Sequence, residues 1–241
     1  MIGGFIINGS TPKKVVLRGM GPSLASFGII NFLVDPVLEL RSSSGALLQK
    51  NDNWKDDQRA EIEGTVFQPS DDRESVIIAT LVPGAYTALL TGKNQTTGVG
   101  LVEIYDGDTA VASELTNIST RGFVQTANNV MIGGFILGNN TANANVAVRG
   151  RGPSLAQFGL SNVLADRTLE IHNSSGTTLI ANDDWETDPV SAAQLIANGL
   201  APTDPKESGV FVSLPPGQYT AVLAGKDGGT GIGLVEIFTP Q

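Results

Sequence analysis

The sequence consists of one unit written twice. Its first 28 residues, MIGGFIINGSTPKKVVLRGMGPSLASFG, recur as MIGGFILGNNTANANVAVRGRGPSLAQFG. LELRSSSGALLQKNDNW and LVPGAYTALLTGKNQTTGVGLVEIY recur as LEIHNSSGTTLIANDDW and LPPGQYTAVLAGKDGGTGIGLVEIF. The offset between matched residues grows only from 130 at Met131 to 133 at Phe238, so the insertions are short and belong in loops. The repeat predicts two homologous domains, residues 1–112 and 113–241.

Both copies are dominated by short segments with strand character. VVLRG, VLELRS, LLQKND, SVIIATL, AYTALLTG and GLVEIY are strand-like in length and pattern, and turn residues such as SSSG, VPG and GKNQTTG separate them. Short helical turns are predicted at PSLASFG and PSLAQFG, and longer ones at Asp56–Gly64 and Asp188–Gly199, where an Asp can cap the first turn. We therefore predict an all-β chain of two tandem antiparallel β-sandwich domains, jelly-roll-like, with short helical turns.

The second copy has a lead-in segment that the first copy lacks. ELTNISTRGFVQTANNV (114–130) precedes the second MIGGF and alternates as one or two strands, whereas no equivalent precedes Met1. A sheet without this strand has an open edge, and such an edge templates the addition of another strand. The alternative is that the difference only marks a processing boundary. The predicted assembly strand comprises Ile118, Thr120, Gly122 and Val124.

Charge and composition exclude several kinds of partner. With 15 Lys and Arg against 24 Asp and Glu, the net charge is -9, which repels nucleic acids and anionic membrane surfaces. Zero Cys excludes disulfides and thiolate metal sites, and no apolar run is long enough for membrane insertion. The N-terminus lacks signal-peptide character, so either an export signal has been removed or the chain is a segment of something longer. The Gly-, Thr- and Ser-rich texture is typical of an extracellular or cell-surface protein of bacteria.

A family resemblance supports this expectation. The run from LELRSSSGALLQKNDNW through ESVIIATLVPGAYTALLTG to GVGLVEIY resembles the pre-peptidase C-terminal type of β-sandwich, an appendage of secreted bacterial enzymes. The resemblance covers roughly the last two thirds of each copy, and it implies a non-catalytic jelly-roll module, sometimes calcium-stabilised or carbohydrate- or matrix-binding. The front third, MIGGFI…RGxGPSLxxFG, departs from that pattern. As a whole, the unit is similar to tandem repeats of large secreted or surface proteins of environmental bacteria, which act as spacers or fibres.

Residues suited to catalysis are scarce. The sole histidine is His172, and its counterpart in the first copy is Arg41, so a Ser-His-Asp mechanism would exist in one copy at most. No nucleophile-elbow, zinc-protease or phosphate-loop pattern is present in the sequence. We expect no catalytic residues and no enzymatic activity. A hydrolase that uses paired loop carboxylates is the rival hypothesis, and it predicts two equivalent sites.

Acidic loops give the strongest signal for a cofactor, which would be Ca²⁺. NDNWKDD with PSDDRES recurs as NDDWETD with PTDPKES, and calcium takes six to eight oxygen ligands from such side chains. The alternative is turn chemistry, in which Asn and Asp bind their own backbone and Glu pairs with a neighbouring cation. The candidate calcium ligands are Asp52, Asp71, Asp72, Glu74, Asp183, Asp184, Asp204 and Glu207.

Two further repeated features are polar pairs and tryptophans. The conserved spacing of Arg and Glu in the two copies predicts architectural ion pairs, although a ligand-binding cluster is the alternative. These residues are Arg18, Glu39 and Glu103 in the first copy and Arg149, Glu170 and Glu236 in the second. Trp54 and Trp185 each follow a polar turn, so they either cover the core or stack on a sugar ring.

Taken together, these features predict a structural subunit. The expected role is that of a non-enzymatic component of an extracellular fibre, filament or stalk, built from tandem repeats, from exchange of strands between subunits, or from both. Its partners would then be copies of itself or further repeats of a longer chain. The alternative is a carbohydrate- or matrix-binding accessory module of a secreted protein.

Overall fold

The computed structural model describes residues 1–127, 129–138 and 142–240. The chain divides into two compact units, Met1–Thr116 (unit 1) and Asn117–Gln241 (unit 2). The strand ladders within each unit are antiparallel, so the predicted all-β, antiparallel class is confirmed. Among the described residues, no helix combines the length and the apolar character needed to cross a lipid bilayer.

Unit 1 contains two sheets. Its elements are β1 (Ile2–Asn8), β2 (Lys13–Met20), β3 (Pro36–Ser42), β4 (Leu47–Asn51), α1 (Arg59–Ile62), β5 (Ser75–Leu81), β6 (Gly84–Gly92) and β7 (Leu101–Asp106). Four strands follow one another in the order β1–β6–β3–β4, and three in the order β5–β2–β7. A further strand, β8 (Glu114–Val124), begins in the last residues of unit 1 and continues into unit 2.

Unit 2 repeats this arrangement with one more strand. Its elements are β9 (Met131–Leu137), β10 (Ala144–Arg151), β11 (Arg167–Asn173), β12 (Thr178–Asn182), α2 (Pro189–Ala197), β13 (Ser208–Leu214), β14 (Gly217–Gly225) and β15 (Gly231–Phe238). The strand orders are β12–β11–β14–β9 and β13–β10–β15–β8. The lead-in segment 114–130 therefore forms one strand, β8, and residue 128 of that segment lies outside the described residues.

In each unit the two sheets enclose an apolar core. In unit 1, Leu17 and Ile77 of one sheet contact a cluster that includes Leu38 and Ala88 of the other, and all four are fully buried. Aromatic stacking recurs at the Tyr of each PGxY turn, since Tyr86 stacks on Phe5 with ring centroids 5.5 Å apart and Tyr219 stacks likewise in unit 2. Alternation along the strands thus produces the buried faces, as their sequence pattern predicts.

The predicted helical turns are present, with different lengths in the two copies. Pro22–Phe27 and Pro153–Phe158 form 3-10 turns. Helix α2 has nine residues because the Asp188 side chain accepts a hydrogen bond from Val190 N (3.0 Å) and a proline follows the cap. Helix α1 has only four residues, and its N-cap, Gln58, makes no such capping bond.

Candidate interaction site

The site singled out by the repeat is the outer edge of β7. Strands β7 and β15 are counterparts, but β15 lies between β10 and β8, whereas β7 is the last strand of its sheet and pairs with β2. The edge strands β4 and β5 match the edge strands β12 and β13, and β9 is a further edge of unit 2. Among the strands that the structure describes, β7 is thus an edge whose counterpart in the other unit is covered.

Hydrogen bonding shows which backbone groups face this edge. Gly107 N donates to Lys14 O at 2.8 Å, and Leu33 N donates to Val99 O at 2.7 Å. The backbone N–H and C=O groups of the odd-numbered residues of β7 therefore point toward β2. Because backbone groups alternate sides along a strand, the N–H and C=O groups of Val102 and Ile104 point away from β2. These groups are the ones that an added strand would meet.

The side chains at this edge are less buried than their counterparts. Val235 of β15 is fully buried and Ile237 is 5% exposed, whereas Val102 and Ile104 are only partly buried. Val102 corresponds to Val235 and Ile104 to Ile237, so each pair has the same side chain. The difference in burial therefore arises from β8, which covers the residues of β15. Unit 1 therefore retains apolar surface at the position that β8 covers in unit 2.

A cavity of about 540 Å³ lies beside the start of β7. Leu33, Leu90 and Gly100 are among the residues that line it. A methyl group added at Gly100 would lie 2.7 Å from Leu90 Cδ2 and 3.5 Å from Leu33 Cδ2, and its third neighbour would be the Met20 carbonyl oxygen at 3.5 Å. Two leucines of the unit 1 core thus form one part of the cavity wall, and residues of the segment 91–100 form most of the rest.

Unit 2 has a side chain at the matching place. A methyl group added at Gly233, the counterpart of Gly100, would lie 2.9 Å from Leu223 Cδ2, 3.2 Å from Val124 Cγ2 and 3.5 Å from Leu164 Cδ2. Leu223 and Leu164 are the counterparts of Leu90 and Leu33, and Val124 is fully buried. The extra neighbour in unit 2 is therefore a valine of β8, where Gly100 has the backbone oxygen of Met20 as its third neighbour.

Polar contacts hold the face of β7 that lies opposite the side chains of Val102 and Ile104. Arg18 Nη1 lies 3.0 Å from Glu103 Oε2, and the Tyr105 hydroxyl donates to Glu103 Oε1 at 2.9 Å. Burial raises the pKa of Tyr105, and the neighbouring Glu103 carboxylate adds to this. Phe67 covers the Tyr105 ring at a centroid distance of 5.3 Å. These contacts hold β7 against β2 and so fix the position of its outer edge.

The predicted assembly strand lies in β8 and pairs with β15. In register, Ile118 is opposite Ile237, Thr120 opposite Val235, Gly122 opposite Gly233 and Val124 opposite Gly231.

The predicted Arg–Glu pairs are brought together only in part. Arg18 contacts Glu103 and Arg149 contacts Glu236 (2.7 Å), whereas Glu39 pairs with Arg41 and Glu170 lies 2.9 Å from His172.

The structure does not bring the predicted calcium ligands together. Asp52, Asp71, Asp72 and Asp183 each pair with a cation, which is Lys93, Arg73, Lys55 and Lys226 respectively, at 2.6–2.8 Å. Asp204 accepts from Lys206 N, and Asp184 follows Asp183 in the same turn. Among the residues that the structure describes, no three Asp, Glu or His side chains lie close enough to hold a metal ion. The acidic loops instead use turn bonds and ion pairs.

Glu74 and Glu207 have a role that the sequence did not predict. Both are fully buried. Glu74 Oε1 accepts hydrogen bonds from Gly21 N (2.9 Å), Ser23 N (2.9 Å) and Ser23 Oγ (2.7 Å), and Glu207 binds the matching atoms of unit 2. A methyl group at Gly21 would lie 2.0 Å from Leu33 O, so this position requires glycine. The repeated RGxGPS motif is thus a carboxylate-binding turn, and its signal was a Glu after each acidic loop.

The tryptophans are core residues in this structure, as the first of the two alternatives for them predicts. Trp54 is 1% exposed and Trp185 is 7% exposed. Trp54 belongs to a cluster with Ile62 and Val76, and Trp185 packs with Leu195 of α2. A ring must present an open face to stack on a sugar, and neither ring does.

An ion pair in an acidic loop gives a pH prediction. The hydrogen bond from Lys226 holds the pKa of Asp183 below its usual range. Its contribution to stability is therefore present above the unfolded-state pKa of about 3.9, and it is lost as the pH falls through the lower folded-state value. Because both side chains are well exposed, Asp183→Asn should cost at most about 0.5 kcal/mol at neutral pH.

The measurement is chemical denaturation of the wild type and of Asp183→Asn between neutral and strongly acidic pH. The wild type should lose its small advantage on acidification, so the two curves converge. Asp227→Asn is the matched control, since it removes an acidic charge from the turn that carries Lys226 and Asn tolerates the positive φ of that position. Equal pH dependence of the three proteins would contradict the role of the Lys226 contact.

Comparison with protein-family models gives no match for this chain, and comparison with curated protein sequences gives none either. Solved structures give faint likenesses. The major capsid protein of bacteriophage PM2 is 9% identical, with 98% of this chain and 91% of that chain covered and a TM-score of 0.26. A protein from Eubacterium rectale is 10% identical, with 98% and 68% covered and a TM-score of 0.24. The infectious bursal disease virus subviral particle is 9% identical, with 96% and 59% covered and a TM-score of 0.22, and TM-scores of this size assign no fold family.

Proposed function

We propose that this chain is a non-enzymatic structural subunit of a bacterial extracellular fibre or surface stalk. Its two units are proposed to be tandem jelly-roll-like domains that join other repeats of the same kind by strand addition. The observation that carries the proposal is the outer edge of β7, which has unpaired backbone groups and partly exposed Val102 and Ile104, while the matching edge of β15 is covered by β8.

The energetics favour strand addition at such an edge. Each backbone hydrogen bond contributes a net stabilisation of about 0.5–1.5 kcal/mol, and a strand of several residues forms several of them. Burial of apolar side chains adds about 25 cal/mol for each Å² removed from water. A contact of this kind is head-to-tail, since β7 belongs to unit 1 and the lead-in pattern belongs to a neighbouring repeat. Head-to-tail contacts build open arrays when the rotation between successive copies does not close a ring.

The extracellular placement rests on the sequence. The chain has no Cys, a net charge of -9 and a Gly-rich composition with 29 glycines. The resemblance to pre-peptidase C-terminal modules and to tandem surface repeats of environmental bacteria points in the same direction. The role is thus that of a rigid block in a series.

Immunogold electron microscopy of the extracellular material of the producing bacterium tests the proposed role. Antibodies against this chain should label fibres or surface stalks, with gold particles distributed along their length because repeats are joined in series. A matched pre-immune serum controls for unspecific labelling. Label confined to dispersed soluble protein or to the cell interior would overturn the proposal.

A further inference from the structure

Resting on the proposed function, we infer that the β7 edge accepts the lead-in strand of another repeat of this kind. The accepted strand has the inward pattern Ile-x-Thr-x-Gly-x-Val of β8, and its valine occupies the cavity beside Gly100. The partner is thus an extended peptide segment with the chemistry of residues 118–124, supplied by a chain segment other than β8 itself.

The first argument is the identity of the two acceptor edges. The residues of β15 that face β8 are Gly231, Gly233, Val235 and Ile237, and their counterparts are Gly98, Gly100, Val102 and Ile104. Because each pair is identical, a strand with the β8 pattern meets the same groups in both units. The expected register places its threonine opposite Val102 and its valine opposite Gly98.

The second argument is the fit of the valine. In unit 2, Val124 is fully buried against Leu164 and Leu223 beside Gly233. In unit 1, the matching leucines line the cavity of about 540 Å³. An apolar group that packs against these two leucines gains dispersion contacts, as Val124 does in unit 2. The absent Cβ atoms of the facing glycines leave the room for this side chain.

The third argument is that the chain after β7 is led away from this edge. Lys13, which is 1% exposed, donates from Nζ to Asp108 O (2.7 Å) and pairs with Asp106 (2.7 Å). Ser113 Oγ donates to Thr11 O at 2.7 Å. These contacts fasten segment 107–113 to the start of β2 and the turn before it, on the β2 side of β7. The lead-in that follows is then used by β15.

The described part of the chain therefore has more sheet edges of this type than strands that fit them. Among the described residues, the chain has two edges of this type, β7 and β15, and one strand of the matching pattern, β8. If β8 moved from β15 to β7, the uncovered sheet edge would only shift to unit 2. Covering both edges requires a lead-in strand from a further repeat. Each added repeat brings its own lead-in strand, so the array can grow.

The test uses the full chain and a fluorescent synthetic peptide, ELTNISTRGFVQTA, which corresponds to residues 114–127. Ile232 N donates to Asn162 O and Leu164 N donates to Ile232 O, so even-numbered residues of β15 face away from β8. By alternation, the N–H of Thr120 points at the acceptor and that of Ser119 points away. N-methylation of the peptide at Thr120 should weaken binding by about tenfold or more, because one hydrogen bond is lost and its partner is left unpaired.

Ser119 N-methylation is the matched control and should leave the affinity unchanged. On the chain, Val102→Glu should abolish binding because it places a charge under the added strand, whereas Leu101→Glu adds the same charge at a side chain that is 39% exposed. Circular dichroism establishes that both variants are folded. If Val102→Glu does not fold, hydrogen exchange on the wild type provides the measurement, and the amides of Val102 and Ile104 should slow when the peptide binds.

Equal weakening by both N-methyl peptides, slowing of exchange at β15 instead of β7, or no binding of the unmodified peptide would each overturn the inference. These outcomes are separable from the proposed function. If gold-labelled fibres are found but the peptide does not bind, the structural role stands and this acceptor site is wrong. If neither is found, both fail.

Discussion

Glu207→Gln is expected to destabilise unit 2 by about 3–5 kcal/mol, which is a large share of the stability of an ordinary domain. Glu207 is fully buried, and it lies 3.8 Å from Nη1 of Arg167, which is also fully buried. Burial lowers the pKa of Arg167, and the Glu207 charge opposes this effect. A glutamine keeps an acceptor for Gly152 and Ser154 but removes the charge, so the buried guanidinium loses the largest of its opposing charges and keeps only the smaller effects of Asp166, Asp204 and Asp184.

Unit 1 provides the matched control for this prediction. Glu74 accepts the same three hydrogen bonds, but Pro36 takes the place of Arg167 and Met20 takes the place of Arg151. Glu74→Gln leaves no buried cation behind, and its cost should stay near 1–2 kcal/mol, roughly the difference between charged and neutral hydrogen bonds.

Hydrogen exchange resolved by mass spectrometry reports the stability of each unit separately. The double variant Glu207→Gln with Arg167→Met should regain much of the loss, because a buried pair can be replaced by apolar packing. Equal losses for Glu74→Gln and Glu207→Gln, or no recovery in the double variant, would show that Arg167 does not depend on Glu207.

Most strands could be predicted from the sequence because they depend on local pattern. VVLRG and GLVEIY, for example, lie in β2 and β7. β1 and β9 were not among the predicted strands, since two glycines interrupt the alternation of MIGGFI. The structure gives a reason for one of them, because a methyl group at Gly3 would lie 3.3 Å from Val102 Cγ1.

The remaining features depend on contacts between residues far apart in sequence. Glu74 binds a turn 51–53 residues earlier in the chain, and no local pattern indicates that distance. Acidic loops suggest calcium wherever carboxylates cluster in sequence, but here Lys93 and Lys226, from the turns after β6 and β14, pair with Asp52 and Asp183. The cavity in unit 1 likewise depends on distant contacts, since Leu33, Leu90 and Gly100 meet there from separate segments of the chain.

Trp54→Ala is expected to cost unit 1 about 3–5 kcal/mol, because removal of a buried aromatic ring leaves a cavity that the surroundings fill only in part. The ring is 1% exposed, and it lies in a cluster with Val16, Ile62, Val76 and Ile78. This cluster covers the face of the β5–β2–β7 sheet opposite the main core, so its loss loosens the support of β7. Urea denaturation followed by circular dichroism should show an early transition for unit 1.

Trp185 supplies the internal reference in this experiment, since it becomes the single tryptophan of the variant and reports unit 2 by fluorescence. Its transition should stay at the wild-type urea concentration while that of unit 1 moves. Trp54→Phe is the matched control, because it retains an aromatic ring and deletes an indole N–H that has no hydrogen-bond partner among the described residues. A Trp54→Ala protein with unchanged stability would mean that the ring does not stabilise the core. That result would favour the sugar-stacking alternative.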